Sequence, residues 1–112
     1  FNVVAADEGT PHAVLVRAVE PVAGADLMST RRGLPTDARA LTNGPGKLCR
    51  ALAIGADQRG VDLTSGSLYL ADGVAGPIGR ARRVNIDYAG AWADKPWRFY
   101  EKSSRYVSVA PR

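Results

Sequence analysis

Asn43-Gly44-Pro45-Gly46-Lys47-Leu48-Cys49-Arg50-Ala51-Leu52-Ala53-Ile54-Gly55 is the stretch around which the chain is organised. Pro45 has the fixed φ of a first helical residue, and Gly44 stands before it as N-cap. Gly55 is placed to take the left-handed conformation that stops a helix. Leu48, Ala51 and Leu52, with Cys49 beside them, fall at i, i+3, i+4 spacing on one apolar side, while Lys47 and Arg50 lie elsewhere on the wheel. A Ser or Asp N-cap would accept a hydrogen bond from the second or third helical N–H, which Gly44 cannot do. The N–H groups of Gly46 and Lys47 therefore point outward at the positive end of a helix dipole, beside the Lys47 ammonium. Two readings fit this tip: an anion site, or a helix start capped only by water. A P-loop does not fit, because Leu41 and Leu48 stand where that motif needs Gly and Ser or Thr.

A chain of 112 residues makes one domain or part of one and can bury roughly 65% of its extended surface. Its 46% hydrophobic content is that of a globular chain, not a disordered one. No apolar run approaches the ~20 residues that span a bilayer, and no signal-peptide pattern opens the chain, so no membrane partner is expected. The single cysteine, Cys49, excludes an internal disulfide and an all-cysteine zinc site, and fits a reducing compartment. The single histidine, His12, argues against a histidine-based metal centre. Lys and Arg total 15 against 11 acids, a net +4, and twelve of the 15 are arginines. Guanidinium forks suit phosphates and guanine edges, so nucleic acid is favoured slightly over a merely basic surface.

From the start, Phe1-Asn2-Val3-Val4 reads as the middle of a buried strand, so this sequence is expected to be the C-terminal part of a longer chain whose other residues cover it. Asp7-Glu8-Gly9-Thr10-Pro11 is a turn. His12 to Val19 is a second strand with both faces buried, pairing antiparallel with the first across a loop of about eight residues. Arg17 interrupts that apolar strand. It either meets Glu20 or a backbone group, or projects into a cleft toward an anion or an ordered water. Gly24 to Gly33 is a short helix with Arg31 and Arg32 in its last turn, and Thr36 caps another helical turn or two through Leu41. Asp57–Leu63 is a polar loop turning at Gly60, Ser67–Leu70 a short strand, and Gly76–Gly79 a loop. From Arg82 the sequence alternates, with Val84, Ile86 and Tyr88 on one side, as an amphipathic strand spanning Arg80–Tyr88. Trp92 packs the turn at Ala89–Pro96. Trp97–Tyr100 is an aromatic strand, and after the Ser103-Ser104 turn a last strand runs Tyr106–Val109. The order predicts an α+β fold: a single domain with a mainly antiparallel curved sheet and short helices packed on it. No nucleophilic triad is visible, and neither His12 nor Cys49 has the partners one needs.

Several blocks taken together carry a resemblance. Asn2-Val3-Val4, Ala13-Val14-Leu15-Val16-Arg17-Ala18-Val19-Glu20-Pro21, Arg31-Arg32-Gly33, Asn43 to Leu52, Arg83-Val84-Asn85-Ile86, Lys95-Pro96-Trp97-Arg98-Phe99-Tyr100 and Val107-Ser108-Val109 occur in this order. The chain resembles the C-terminal portion of the alkyladenine (3-methyladenine) DNA glycosylase family, in its bacterial variety, from Asn2 to Val109. The resemblance implies base-excision repair of double-stranded DNA. A damaged purine of the 3-methyladenine or hypoxanthine type is flipped out and its N-glycosidic bond hydrolysed by an activated water, with no metal or organic cofactor. It implies that Asn2 meets the flipped base, Arg17 holds the attacking water and the catalytic carboxylate, and the main-chain carbonyl of Val84 contacts that water. Gly46 and Lys47 match a contact to a DNA phosphate. The family's general base, a Glu, and its stacking and wedging side chains belong to the N-terminal half and have no counterpart among these residues; Glu20 matches a structural position. Residues 1–112 are thus expected to supply part of a single glycosylase domain and to be inactive alone. The completed protein is expected to be a monomer in the bacterial cytoplasm, at the nucleoid. A non-catalytic nucleic-acid-binding module of the same fold and a protein-interaction domain are the alternatives.

Overall fold

A computed structural model describes residues 1–111. The elements run β1 (Asn2–Val4), β2 (Ala13–Leu15), α1 (Ala25–Arg32), a 3₁₀ turn (Arg39–Leu41), α2 (Pro45–Ala51), a 3₁₀ turn (Ala56–Gln58), β3 (Ile78–Ala81), a kinked 3₁₀ segment (Asp87–Asp94) and β4 (Arg98–Glu101). The class is α+β, as expected, with the antiparallel pairing divided between two two-stranded sheets. Among the described residues no helix is long and apolar enough to cross a membrane.

The expected antiparallel N-terminal hairpin forms, with Asn2 opposite Leu15, Val3 opposite Val14 and Val4 opposite Ala13. It is extended by Ala5 N–H to His12 O and Val16 N–H to Phe1 O, both 2.9 Å. The turn at Asp7–Thr10 closes through Thr10 N–H to Asp7 O, with Gly9 at φ 90°. The second strand is shorter than the apolar run and its faces are not buried: Val14 and Leu15 are 58% and 43% exposed, and Val4 77%. Beyond Val16 the chain leaves β1 for a different partner. Val19 N–H donates to Thr42 O, and the fully buried Thr42 returns its hydroxyl to Val19 O at 2.6 Å.

The helices form the core. Gly24 and Gly33 flank α1 in left-handed conformations, Gly33 as the stop the sequence suggested. Met28, Leu41 and Ala51 pack together over Leu34 and Ala38, with Leu48 fully buried nearby. Arg31 and Arg32 both hydrogen-bond to backbone carbonyls. Arg31 donates from Nη1 to Ala51 O (2.9 Å), and Arg32 from Nε to Leu41 O (3.2 Å) and from Nη2 to Ala40 O (2.9 Å). They fasten α1 to the unpaired C-terminal carbonyls of its neighbours. The turn before α2 begins at Arg39 with Ala38 ahead of it, so Thr36 is not its cap. At the far end, α2 stops at Ala51, four residues before Gly55. Ile54 N–H bonds to Cys49 O (2.8 Å) and Ala53 N–H to Arg50 O (3.3 Å), a Schellman closure with Ala53 at φ 54°. Gly55 is extended and opens the next turn instead.

Three expected strands resolve differently. Ser67–Leu70 has no strand partner; Leu70 N–H to Leu63 O merely closes its loop. In the Arg80–Tyr88 stretch the ladder starts earlier, at Ile78 within the expected loop, and ends at Ala81. Left-handed Asn85 (φ 58°) then turns the chain into a 3₁₀ segment despite its alternating pattern. Tyr106–Val109 forms no strand, and guanidinium groups meet it instead: Arg17 reaches Ser108 Oγ, Arg39 reaches Val107 O and Arg98 reaches Val109 O.

Candidate active-site cleft

β1 and β2 on one side and β4 with the Arg83–Ile86 turn on the other border a cleft of about 740 Å³. Asn2, Arg17 and Val84 line it together. Asn2 arrives as the first ladder residue of β1, exposed toward the opening, and Arg17 two residues past the end of β2. Val84 follows the end of β3, just before left-handed Asn85 redirects the chain.

Arg17 is half-buried and donates from Nε to Ser108 Oγ at 3.3 Å. Glu20, which also lines the cleft, instead accepts from Ser104 Oγ at 2.9 Å. Among the described residues no carboxylate oxygen lies within 4.0 Å of Arg17. Among the described residues Arg17 thus lines the cleft, bonds to Ser108 and does not meet Glu20.

A second guanidinium stands beside it. Arg98, only 6% exposed, points inward from the first residue of β4 and donates from Nη2 to Val109 O. Burial, and then the like charge of Arg17, hold the Arg98 pKa below its usual value, with Tyr100 acting in the opposite sense. Tyr100 lines the same cleft and lies against Gly79, its cross-strand partner; a Cβ on Gly79 would collide with the tyrosine ring. Glycine is required there by close approach rather than by φ. Arg83, also on the cleft, stacks over Trp97 at 5.2 Å and donates from Nη2 to Trp92 O at 3.0 Å, and Trp92 packs against Trp97 with centroids 5.4 Å apart.

Arg83, Arg98 and Tyr100 carry no assignment from the sequence. The signal existed only in part: Arg98 sits at the inward phase of an aromatic strand, where a charge calls for explanation. That Tyr100 would lie on Gly79 depends on a register no local pattern reveals.

Gly46 and Lys47 lie outside the cleft lining, at the start of α2. Gly44 makes no side-chain cap bond, and Gly46 and Lys47 are exposed, so the tip is open. The Lys47 stem folds back over Gly44, where an added Cβ would meet Lys47 Cδ at 3.2 Å, and its Nζ reaches Asn43 Oδ1 at 3.1 Å. The ammonium therefore sits over the helix start, adding its charge to the positive end of the dipole. Among the described residues no three His, Cys, Asp or Glu side chains gather into a metal-binding group.

An Arg-lined cleft in an α+β domain beside an open, basic helix tip is the architecture in which the comparisons with known proteins fall. The family model described as methylpurine-DNA glycosylase matches residues 1–105, and the chain belongs to that family. A protein of Desulfitobacterium hafniense, provisionally named a 3-methyladenine DNA glycosylase, is 47% identical over 97% of this chain and 58% of its own length. Similarly named proteins of Anaeromyxobacter (49% identical, 99% of this chain, 52% of its own) and Clostridium acetobutylicum (45%, 97% and 58%) agree. The chain spans a little over half the length of these relatives.

Proposed function

We propose that residues 1–112 are the C-terminal portion of a monofunctional DNA glycosylase domain. The completed domain hydrolyses the N-glycosidic bond of a flipped-out alkylated or deaminated purine, of the 3-methyladenine or hypoxanthine type, in double-stranded DNA. The observation that carries this reading is that Asn2, Arg17 and Val84 line one cleft and that, among the described residues, Arg17 has no carboxylate partner there. A departing purine and an oxocarbenium-like sugar need an oriented water and a base rather than a strong nucleophile. Arg17 holds that water and the carboxylate of a general base contributed by residues upstream of Phe1. The Val84 carbonyl accepts a hydrogen bond from the water and fixes its direction. Asn2 meets the extruded base and crowds the exocyclic amino group of normal guanine. Gly46 N–H and the Lys47 ammonium bind a DNA phosphate outside the cleft. The reaction uses no metal or organic cofactor, and the completed protein works as a monomer in the bacterial cytoplasm, on nucleoid DNA.

The test is base release from lesion-bearing duplexes. The 112-residue chain alone is expected to liberate neither hypoxanthine nor 3-methyladenine. The same chain joined to an upstream segment carrying the glutamate liberates one or both. Release by the 112 residues alone overturns this division of labour. The absence of a carboxylate at Arg17 among the described residues also suits a non-catalytic nucleic-acid-binding module. That reading requires equal affinity for damaged and undamaged duplexes in competition.

A further inference from the structure

Three consecutive residues of the segment after Tyr106 are held by three arginines from distant parts of the chain. Arg39 Nη2 donates to Val107 O at 3.2 Å, Arg17 Nε to Ser108 Oγ at 3.3 Å, and Arg98 Nη2 to Val109 O. The first and last of these bonds hold the backbone at Val107 and Val109. The middle one runs to the side chain between them, so the Ser108 hydroxyl is presented from a segment fastened on either side. Val107 and Ser108 line the cleft together with Arg17.

Which nitrogen is taken matters. A guanidinium carries one N–H on Nε and four on its two Nη nitrogens. It grips a planar carboxylate side-on, through Nε and one Nη, or end-on, through both Nη. Ser108 Oγ occupies Nε and so removes the side-on edge from use. Among the described residues the Nη nitrogens of half-buried Arg17 have no hydrogen-bond partner, and neither is sealed from solvent, since Arg83 Nε is the one unbonded buried side-chain atom. The end-on pair is thus the part of Arg17 left for a ligand. Arg98, whose pKa is lowered by burial and then by the like charge of Arg17, is anchored to the very next residue. Adjacent residues of one fastened segment therefore keep two mutually repelling cations in fixed places.

We infer that Ser108 is a positioning residue for Arg17: by holding Nε it reserves the end-on Nη pair for the water and the carboxylate that act on the flipped nucleotide. The part played in the reaction rests on the function proposed above; the hold of Ser108 on Arg17 does not.

Base release by the completed protein is the first test. Ser108→Ala is expected to slow single-turnover release about tenfold, the scale of one hydrogen bond to a charged group, with affinity for the lesion duplex unchanged. Ser108→Thr keeps the hydroxyl and is expected to restore the rate to within about twofold. In an Arg17→Ala background, Ser108→Ala should cost nothing further, an outcome that a general loosening of the fold does not give. Wild-type rates in Ser108→Ala, a threonine variant as slow as the alanine one, or the full loss repeated without Arg17 each overturn the assignment. A second measurement needs no turnover. In the completed protein, Ser108→Ala should speed exchange of the Arg17 Nε–H with water several-fold, and unchanged exchange overturns the assignment as well. Faster exchange in a protein that releases no base overturns the glycosylase reading and leaves the hold on Arg17 standing, so the two fail separately.

Discussion

Arg17 is the residue on which the chemistry turns. It is half-buried, lines the cleft and donates from Nε to Ser108 Oγ at 3.3 Å. Removing it should therefore affect the reaction more than the fold. In the completed glycosylase, Arg17→Ala is expected to slow single-turnover base release about a hundredfold, within the range for groups that orient a reacting water, with little change in DNA affinity. Wild-type single-turnover rates would remove Arg17 from the mechanism. Arg17→Lys should rescue little, because an ammonium cannot reproduce the planar fork. Arg98 shows the other use of the same side chain: nearly all buried, it fastens the tail through Val109 and raises the positive potential around Arg17.

At the scale of elements, α2 shows how far backbone chemistry alone predicts structure. Its start, Gly44 then Pro45, is the observed one, because a proline ring and a bare N-cap leave little freedom. Its end is not, because an alanine closes the helix. Ala53 is held left-handed by the Schellman bonds and by the packing of Leu48 and Ala51 beneath the last turn. A non-glycine residue in that conformation costs about 1 kcal/mol. Ala53→Gly is thus expected to stabilise the chain by about 0.5–1 kcal/mol, read from the urea midpoint with unchanged slope. The second misread element, Arg80–Tyr88, has a genuine alternating pattern, but β4 supplies partners only for Ile78 to Ala81. Asn85 then takes a left-handed conformation, which asparagine tolerates better than most residues.

For the whole molecule, many of the cations behind the net charge of +4 also hold the fold together. Arg31, Arg32, Arg39, Arg83, Arg98 and Arg105 each donate to a backbone carbonyl, and Arg82 pairs with Asp94. Those bonds join α1 to α2 and fix residues 105–109 to the rest of the domain. Lys47 lies on the exposed tip of α2, its Nζ bonded to Asn43 Oδ1. Lys47→Ala is expected to weaken binding to all duplex sequences alike and to lower the salt slope by about one. An unchanged slope would exclude the phosphate contact at that tip.

By itself the sequence determined the α+β class, the antiparallel N-terminal hairpin, the glycine stop of α1, the open start of α2 and the family, because each is carried by backbone conformation or by short blocks of residues close together along the chain. Only the tertiary structure decided which arginines bind carbonyls and which face the cleft, that Tyr100 lies on Gly79, and that the last segment is pinned rather than paired. A guanidinium on a long, flexible stem can meet any acceptor within its reach, and which acceptor comes within reach depends on contacts between residues up to 91 positions apart, as with Arg17 and Ser108.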